Sequence, residues 1–207
     1  MSAPRKVKVF LCGEGANELG SRNAPRAFQH DREPGVLHVL LERVQREGWE
    51  VGGARSWKQI PKYRVGRAAH QDTRNVEAAA LDAREAECDV LAFSRDVDTE
   101  SGRKDAIEEG IKRVTSPSVI GGAAVPTLEG WVLALLGVAG SEALSPKRAE
   151  KLLEENGIPR KDTAAMVHVV ESADVAALPK DATSLRLWLD RAQVLTTLVN
   201  TIAGDIP

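Results

Sequence analysis

Val7-Lys8-Val9-Phe10-Leu11-Cys12-Gly13-Glu14-Gly15-Ala16-Asn17-Glu18 is a short apolar run that breaks at a glycine and passes into two acids four residues apart. An apolar run of that length, bounded by a turn signal, reads as a buried strand. The arrangement recurs further on, where the run from Val90 to Phe93 ends in Ser94-Arg95-Asp96-Val97-Asp98. Working outward, the hydrophobic period alternates between strand and helix. Strands are expected over residues 6–12, 50–57, 89–94 and 118–125. Between them lie helical faces carrying Leu37, Leu40, Leu41 and Val44, closed by Gly48, then Val76, Ala79, Ala80 and Ala83, then Ile107, Ile111 and Val114. Such alternation predicts an α/β fold with a largely parallel four-stranded sheet flanked by helices.

After residue 140 the strand signal stops and three helices are expected. Ser145-Pro146 is an N-cap followed by proline at the first helical position, and Gly157 ends that helix. The next helix runs from Asp162 toward Ala177. The last carries Leu185, Trp188, Leu189, Ala192, Leu195 and Val199 at spacings of three and four, a stripe that either caps the sheet or forms a homodimer contact. The chain therefore divides into an α/β part, residues 1–140, and a C-terminal helical extension, residues 141–207, packed on the same core or used as an interface.

Composition narrows the class. At 207 residues, with 43% hydrophobic and 28% charged, the sequence supports one good core and is neither disordered nor membrane-embedded. Its longest apolar stretch, around residues 128–139, contains Glu129 and is too short for a bilayer. No signal-peptide pattern precedes the first strand, so a cytoplasmic location is expected. Cys12 and Cys88 are the two cysteines, both at the edges of expected strands, which argues for core residues over a disulfide or zinc framework. A net charge of -2 excludes a globally basic nucleic-acid coat and leaves local patches open.

In open α/β sheets the crevice beyond the carboxyl ends of the strands is where ligands bind, so acids at two such ends can converge. Converging acids need a cation, and magnesium or manganese suits a site of a few carboxylates plus substrate phosphates. Asp96 and Asp98 share a face if the strand continues, and in a turn both could reach one ion. Glu14 and Glu18 lie on one side of any helical turn beginning at Gly15. The Gly13–Gly20 region fits neither the Rossmann nor the Walker phosphate loop. Solvated loop acids or helix caps are the structural alternative for each of these residues.

A strand followed by Glu14-Gly15-Ala16-Asn17-Glu18, then a strand followed by Asp96-Val97-Asp98, resembles the TOPRIM domain of topoisomerases, bacterial primases and the overcoming-lysogenisation-defect nucleases. Phe93 to Asp98 with Arg103, and Ala124-Val125-Pro126-Thr127-Leu128-Glu129-Gly130-Trp131, resemble small standalone TOPRIM-like proteins of bacterial defence loci. The resemblance covers about residues 6–136 and implies a Rossmann-like, TOPRIM-like sheet. It further implies that Glu14 is a metal ligand or general acid/base, that Asp96 and Asp98 hold magnesium, and that Glu18 and Glu129 support a second ion or the first. Tyr63 is the sole tyrosine and no nucleophile-bearing domain accompanies it, so strand passage is not expected and hydrolysis is. The expected function is a metal-dependent endonuclease in antiviral or foreign-DNA defence, working with a separate ATPase. The alternative is a non-catalytic TOPRIM-like binding subunit of a larger ATPase-containing complex. Nucleotidyl transfer is a further reading, for which the chain is short.

Arg95, Arg103 and Lys104 are candidates to neutralise charge on phosphate, with surface ion pairs as the alternative. Residues 51–71 contain no acid and carry Arg55, Lys58, Lys62, Arg64 and Arg67, with Trp57 and Tyr63 interleaved. Basic and aromatic side chains together suit nucleic acid with unpaired bases, while a solvated loop with Trp57 in the core is the plainer reading. The histidines show no ligand spacing; His30 and His70 flank the expected cleft.

Overall fold

The computed structural model describes residues 5–23, 33–60, 70–159 and 161–204. Four parallel strands, β1 (Val7–Gly13), β2 (Trp49–Ser56), β3 (Val90–Asp96) and β4 (Ser118–Ala124), form one sheet in the order β2-β1-β3-β4. The chain reverses direction across the sheet between β1 and its two neighbours, which opens a crevice at the carboxyl ends of β1 and β3. Helices α1 (Ala16–Leu19), α2 (Val36–Val44), α3 (Gln71–Glu85), α4 (Arg103–Arg113) and α5 (Leu128–Leu135) connect or follow the strands. Then come α6 (Pro146–Glu155), α7 (Thr163–Ser172) and α8 (Thr183–Gly204). The expected alternation is thus present, and the helical turn considered after Gly15 is the short helix α1.

Alternate residues of the central strands enter different cores, as the twofold period of a strand requires. Val9, Leu11, Val90 and Ala92 pack with α2, α5, α7 and α8, whereas Phe10, Cys12, Leu91 and Phe93 pack with α3 and α4. Glycine makes one of these contacts possible: a Cβ at Gly121 of β4 would lie 2.0 Å from the Phe93 ring, so the ring occupies the space a side chain would need.

Helix α8 lies on β4 and β1 with Leu185, Trp188, Leu189, Ala192 and Leu195 buried. Trp188 Nε1 donates to the Phe93 carbonyl at 2.8 Å, and its ring stands 6.1 Å from that of Trp131. At the helix start, the Glu142 carboxylate accepts from the Ser184 and Leu185 backbone N–H groups, doing the work of an N-cap. The apolar stripe therefore caps the sheet. Among the described residues no helix is long and apolar enough to cross a membrane.

Candidate metal centre and adjoining cleft

Three strand ends supply the acids. Glu14 follows β1 directly, and α1 carries Glu18, whose Oε2 accepts from the Gly15 N–H at 3.0 Å. Glu18 packs back over the strand end, where a Cβ at Gly13 would sit 2.5 Å from its own Cβ. Only glycine leaves that space. Asp96 is the last residue of β3, and its Oδ1 accepts from the Leu128 N–H at 2.9 Å, at the start of α5. Glu129 stands in the first turn of the same helix. The extension reaches this region too, since Thr163 Oγ1 of α7 donates to Asn17 Oδ1 of α1 at 3.0 Å.

The acids press on one another electrically. Burial pushes the Asp96 carboxyl up to about 9, with Glu18, Glu129 and Glu14 adding to the rise and the Leu128 N–H opposing it. Glu18, 4% exposed, is pushed up to about 7 by burial first, with Glu14 and Glu129 contributing and backbone hydrogen bonds opposing. Burial together with neighbouring acids makes these two carboxyls favour protons, and a cation beside them would offset both effects. No three of these four acids bring oxygens within 4.8 Å of one another. Glu14 is engaged on its other side by an ion pair with Arg95 Nη1.

Asp98 is placed elsewhere. Strand β3 ends at Asp96, so the two-residue period does not continue, and Asp98 takes the left-handed conformation with φ 52°. Val97 and Asp98 N–H groups both donate to the Pro126 carbonyl, and the exposed Asp98 side chain pairs with Arg103 Nη1 at 3.0 Å. The structure thus puts Glu14, Glu18, Asp96 and Glu129 in one neighbourhood, near enough to raise the Asp96 carboxyl, without closing them into a ligand set, and turns Asp98 toward Arg103.

Beside this cluster lies a cleft of about 570 Å³, with Glu14 on its boundary and Lys58, His70, Asp72, Arg95 and Arg103 among its walls. Asp72 organises it. The residue is 4% exposed and accepts from Arg95 Nε at its Oδ1 and from Arg103 Nε at its Oδ2, both at 3.2 Å. Arg103, also buried, donates to the Asp96 carbonyl at 2.8 Å and pairs with Glu100 at 2.7 Å, so its guanidinium is committed to holding the loop after β3. His70, Asp72 and Glu100 have donor atoms mutually within 4.8 Å. A divalent cation there would have to displace two guanidinium groups, so this set is an arginine clasp. Sequence reasoning missed Asp72; its signal is an acid in the first turn of α3, directly after a stretch that carries only basic charge.

Of the basic stretch, Lys58 lines the cleft and Arg55 pairs with Asp82 at 2.6 Å, while Lys62, Tyr63, Arg64 and Arg67, like His30, lie outside the described residues. Trp57 is a core residue: its indole meets Phe93 edge-on at 5.4 Å and donates to the Ser94 carbonyl at 2.7 Å. Base stacking on Trp57 is not available at 6% exposure. His70 accepts the Asp72 N–H at its Nδ1 and so caps α3. Both cysteines are buried and free, and burial pushes their thiols up, Cys88 to about 11. Comparison with protein-family models, curated proteins and solved structures finds no match to this chain.

Proposed function

We propose that this chain is a divalent-metal-dependent nuclease of TOPRIM-like type, hydrolysing phosphodiester bonds of nucleic acid. The observation that carries the reading is that Glu14, Asp96 and Glu129 stand just at or past the carboxyl ends of β1, β3 and β4 with Glu18 beside them, and that burial and the neighbouring acids push the Asp96 and Glu18 carboxyls up. The donor set fits magnesium or manganese, which favour oxygen ligands and retain waters for substrate. Glu14, Glu18 and Asp96 would hold the ion, with Glu129 completing or steadying the set. When bound, such an ion activates water and offsets charge on a phosphoryl group.

The chain's own residues supply the rest. Glu14 lines the cleft beside the cluster, so with one oxygen toward the ion its other would accept a proton from attacking water. Arg95 and Lys58 offer positive charge to a phosphate in the cleft. Arg103 acts as a positioning residue through its grip on Asp72, Asp98 and Glu100. A role in defence against foreign DNA, with a separate ATPase, follows from the motif resemblance alone.

The direct test is incubation of the purified protein with supercoiled and single-stranded DNA and with RNA, in magnesium, manganese or chelator, beside folded Asp96→Asn and Glu14→Gln proteins. Metal-dependent cleavage lost in both variants is the expected result. Metal binding without cleavage of any of these substrates would instead assign the chain to the binding-subunit class.

A further inference from the structure

Glu14 belongs to two surroundings at once. It is among the acids that raise the Asp96 and Glu18 carboxyls, and on its other side it pairs with Arg95 at the edge of the cleft. Arg95 is anchored from behind by Asp72, at 3.2 Å from Nε, and its guanidinium carbon stands 5.8 Å from the centre of the Trp57 ring. Asp72 is itself fixed by Arg103 on its second oxygen. One edge of the Arg95 fork is therefore held by the protein interior, and another rests on Glu14. A guanidinium meets carboxylate and phosphate oxygens with the same geometry, so Glu14 occupies on Arg95 a position that a phosphate oxygen would take.

We infer that Arg95 is a transferable counter-ion: when a divalent cation draws Glu14 into the acidic cluster, Arg95 is released, still hinged on Asp72, to bind with Lys58 the phosphate of a nucleotide seated in the cleft. This rests on the cation site proposed above. The cleft's volume lies within the range of small-molecule sites, and Gln71 and Asn75 put side-chain amides on its wall. Asp72 is then a positioning residue, acting through Arg95. Because one arginine is shared between Glu14 and the phosphate, cation and nucleotide must each tighten the other's binding by the same factor.

Calorimetric titration tests this with manganese alone, thymidine 5′-monophosphate alone, and each in the presence of the other. For the wild-type chain, manganese is expected to tighten nucleotide binding about tenfold, and the nucleotide to tighten manganese equally. Arg95→Gln should bind manganese more tightly than wild type, since Glu14 loses its competitor, while the coupling disappears. Arg95→Lys, which keeps the charge and loses the fork, should hold manganese near the wild-type affinity and lose most of the coupling. Coupling that stays at wild-type strength in either variant, or weaker manganese binding by Arg95→Gln, overturns the inference. Manganese binding to wild type with no coupling overturns it alone; absence of manganese binding overturns the cation site as well.

Discussion

Replacing Asp96 with asparagine removes a carboxyl that the fold prefers to keep protonated. The native group is pushed up to about 9 from the ordinary aspartate value of 3.8. A carboxyl raised in the folded state contributes stability that is fully present below its unfolded pKa and is lost as pH rises toward its folded pKa. Between those limits the loss is about 1.4 kcal/mol per pH unit, or about 4 kcal/mol from pH 5 to pH 8. That is a large part of the roughly 5–15 kcal/mol that holds a domain together. Glu18, pushed up to about 7 from 4.5, steepens the fall over the lower part of the same window. Asparagine keeps an oxygen to accept the 2.9 Å hydrogen bond from Leu128 and carries no charge at any of these pH values. Urea unfolding in chelator at half-unit pH steps measures the effect. Wild type should lose stability across the window, and Asp96→Asn should show a much shallower slope and be the more stable protein at pH 8. A wild-type stability that is flat or rising from pH 5 to 8, or equal slopes in the two proteins, refutes the reasoning.

Gly13→Ala would set a methyl 2.5 Å from Glu18 Cβ, so it should cost about 1–3 kcal/mol in denaturant unfolding and weaken manganese binding as Glu18 is displaced. Trp188→Ala removes a fully buried indole and its hydrogen bond to the Phe93 carbonyl, with an expected loss of about 3–5 kcal/mol in the same assay. Lys58→Ala should flatten the salt dependence of single-stranded nucleic-acid binding more than Arg55→Ala does, because Arg55 is already neutralised by Asp82. Unequal slopes in the reverse order would place the phosphate contacts elsewhere.

The fold was readable because its signals are local. The runs at Val9 and Val90 and the helical faces of Val76 and Ile107 each specify an element, and alternating elements leave few topologies. Ser145-Pro146 and Asp162 marked helix starts through side chains that do accept backbone N–H groups, from Arg148 and Ala165. Helix α1 was less legible, since a single turn has too few residues to show a period.

The site was readable only in part. Glu14 and Asp96 stand out because they directly end apolar strands. Asp98 was paired with Asp96 either on a continuing strand or in a turn that lets both reach one ion; the strand stops at Asp96, and from the left-handed turn the Asp98 carboxylate goes to Arg103. Asp72 acts on Arg95 and Arg103, 23 and 31 residues away in sequence, and no local pattern encodes an ion pair of that range. For Trp57 the sequence left two readings open, base stacking among basic neighbours and a core position, and the edge-on contact with Phe93 decides for the core.

Anomalous diffraction from crystals soaked in manganese tests the central claim most directly. The account predicts a peak among the carboxylates of Glu14, Glu18, Asp96 and Glu129, lost in crystals of Asp96→Asn. A peak at His70, Asp72 and Glu100, or none at either place in crystals that keep the wild-type fold, contradicts it.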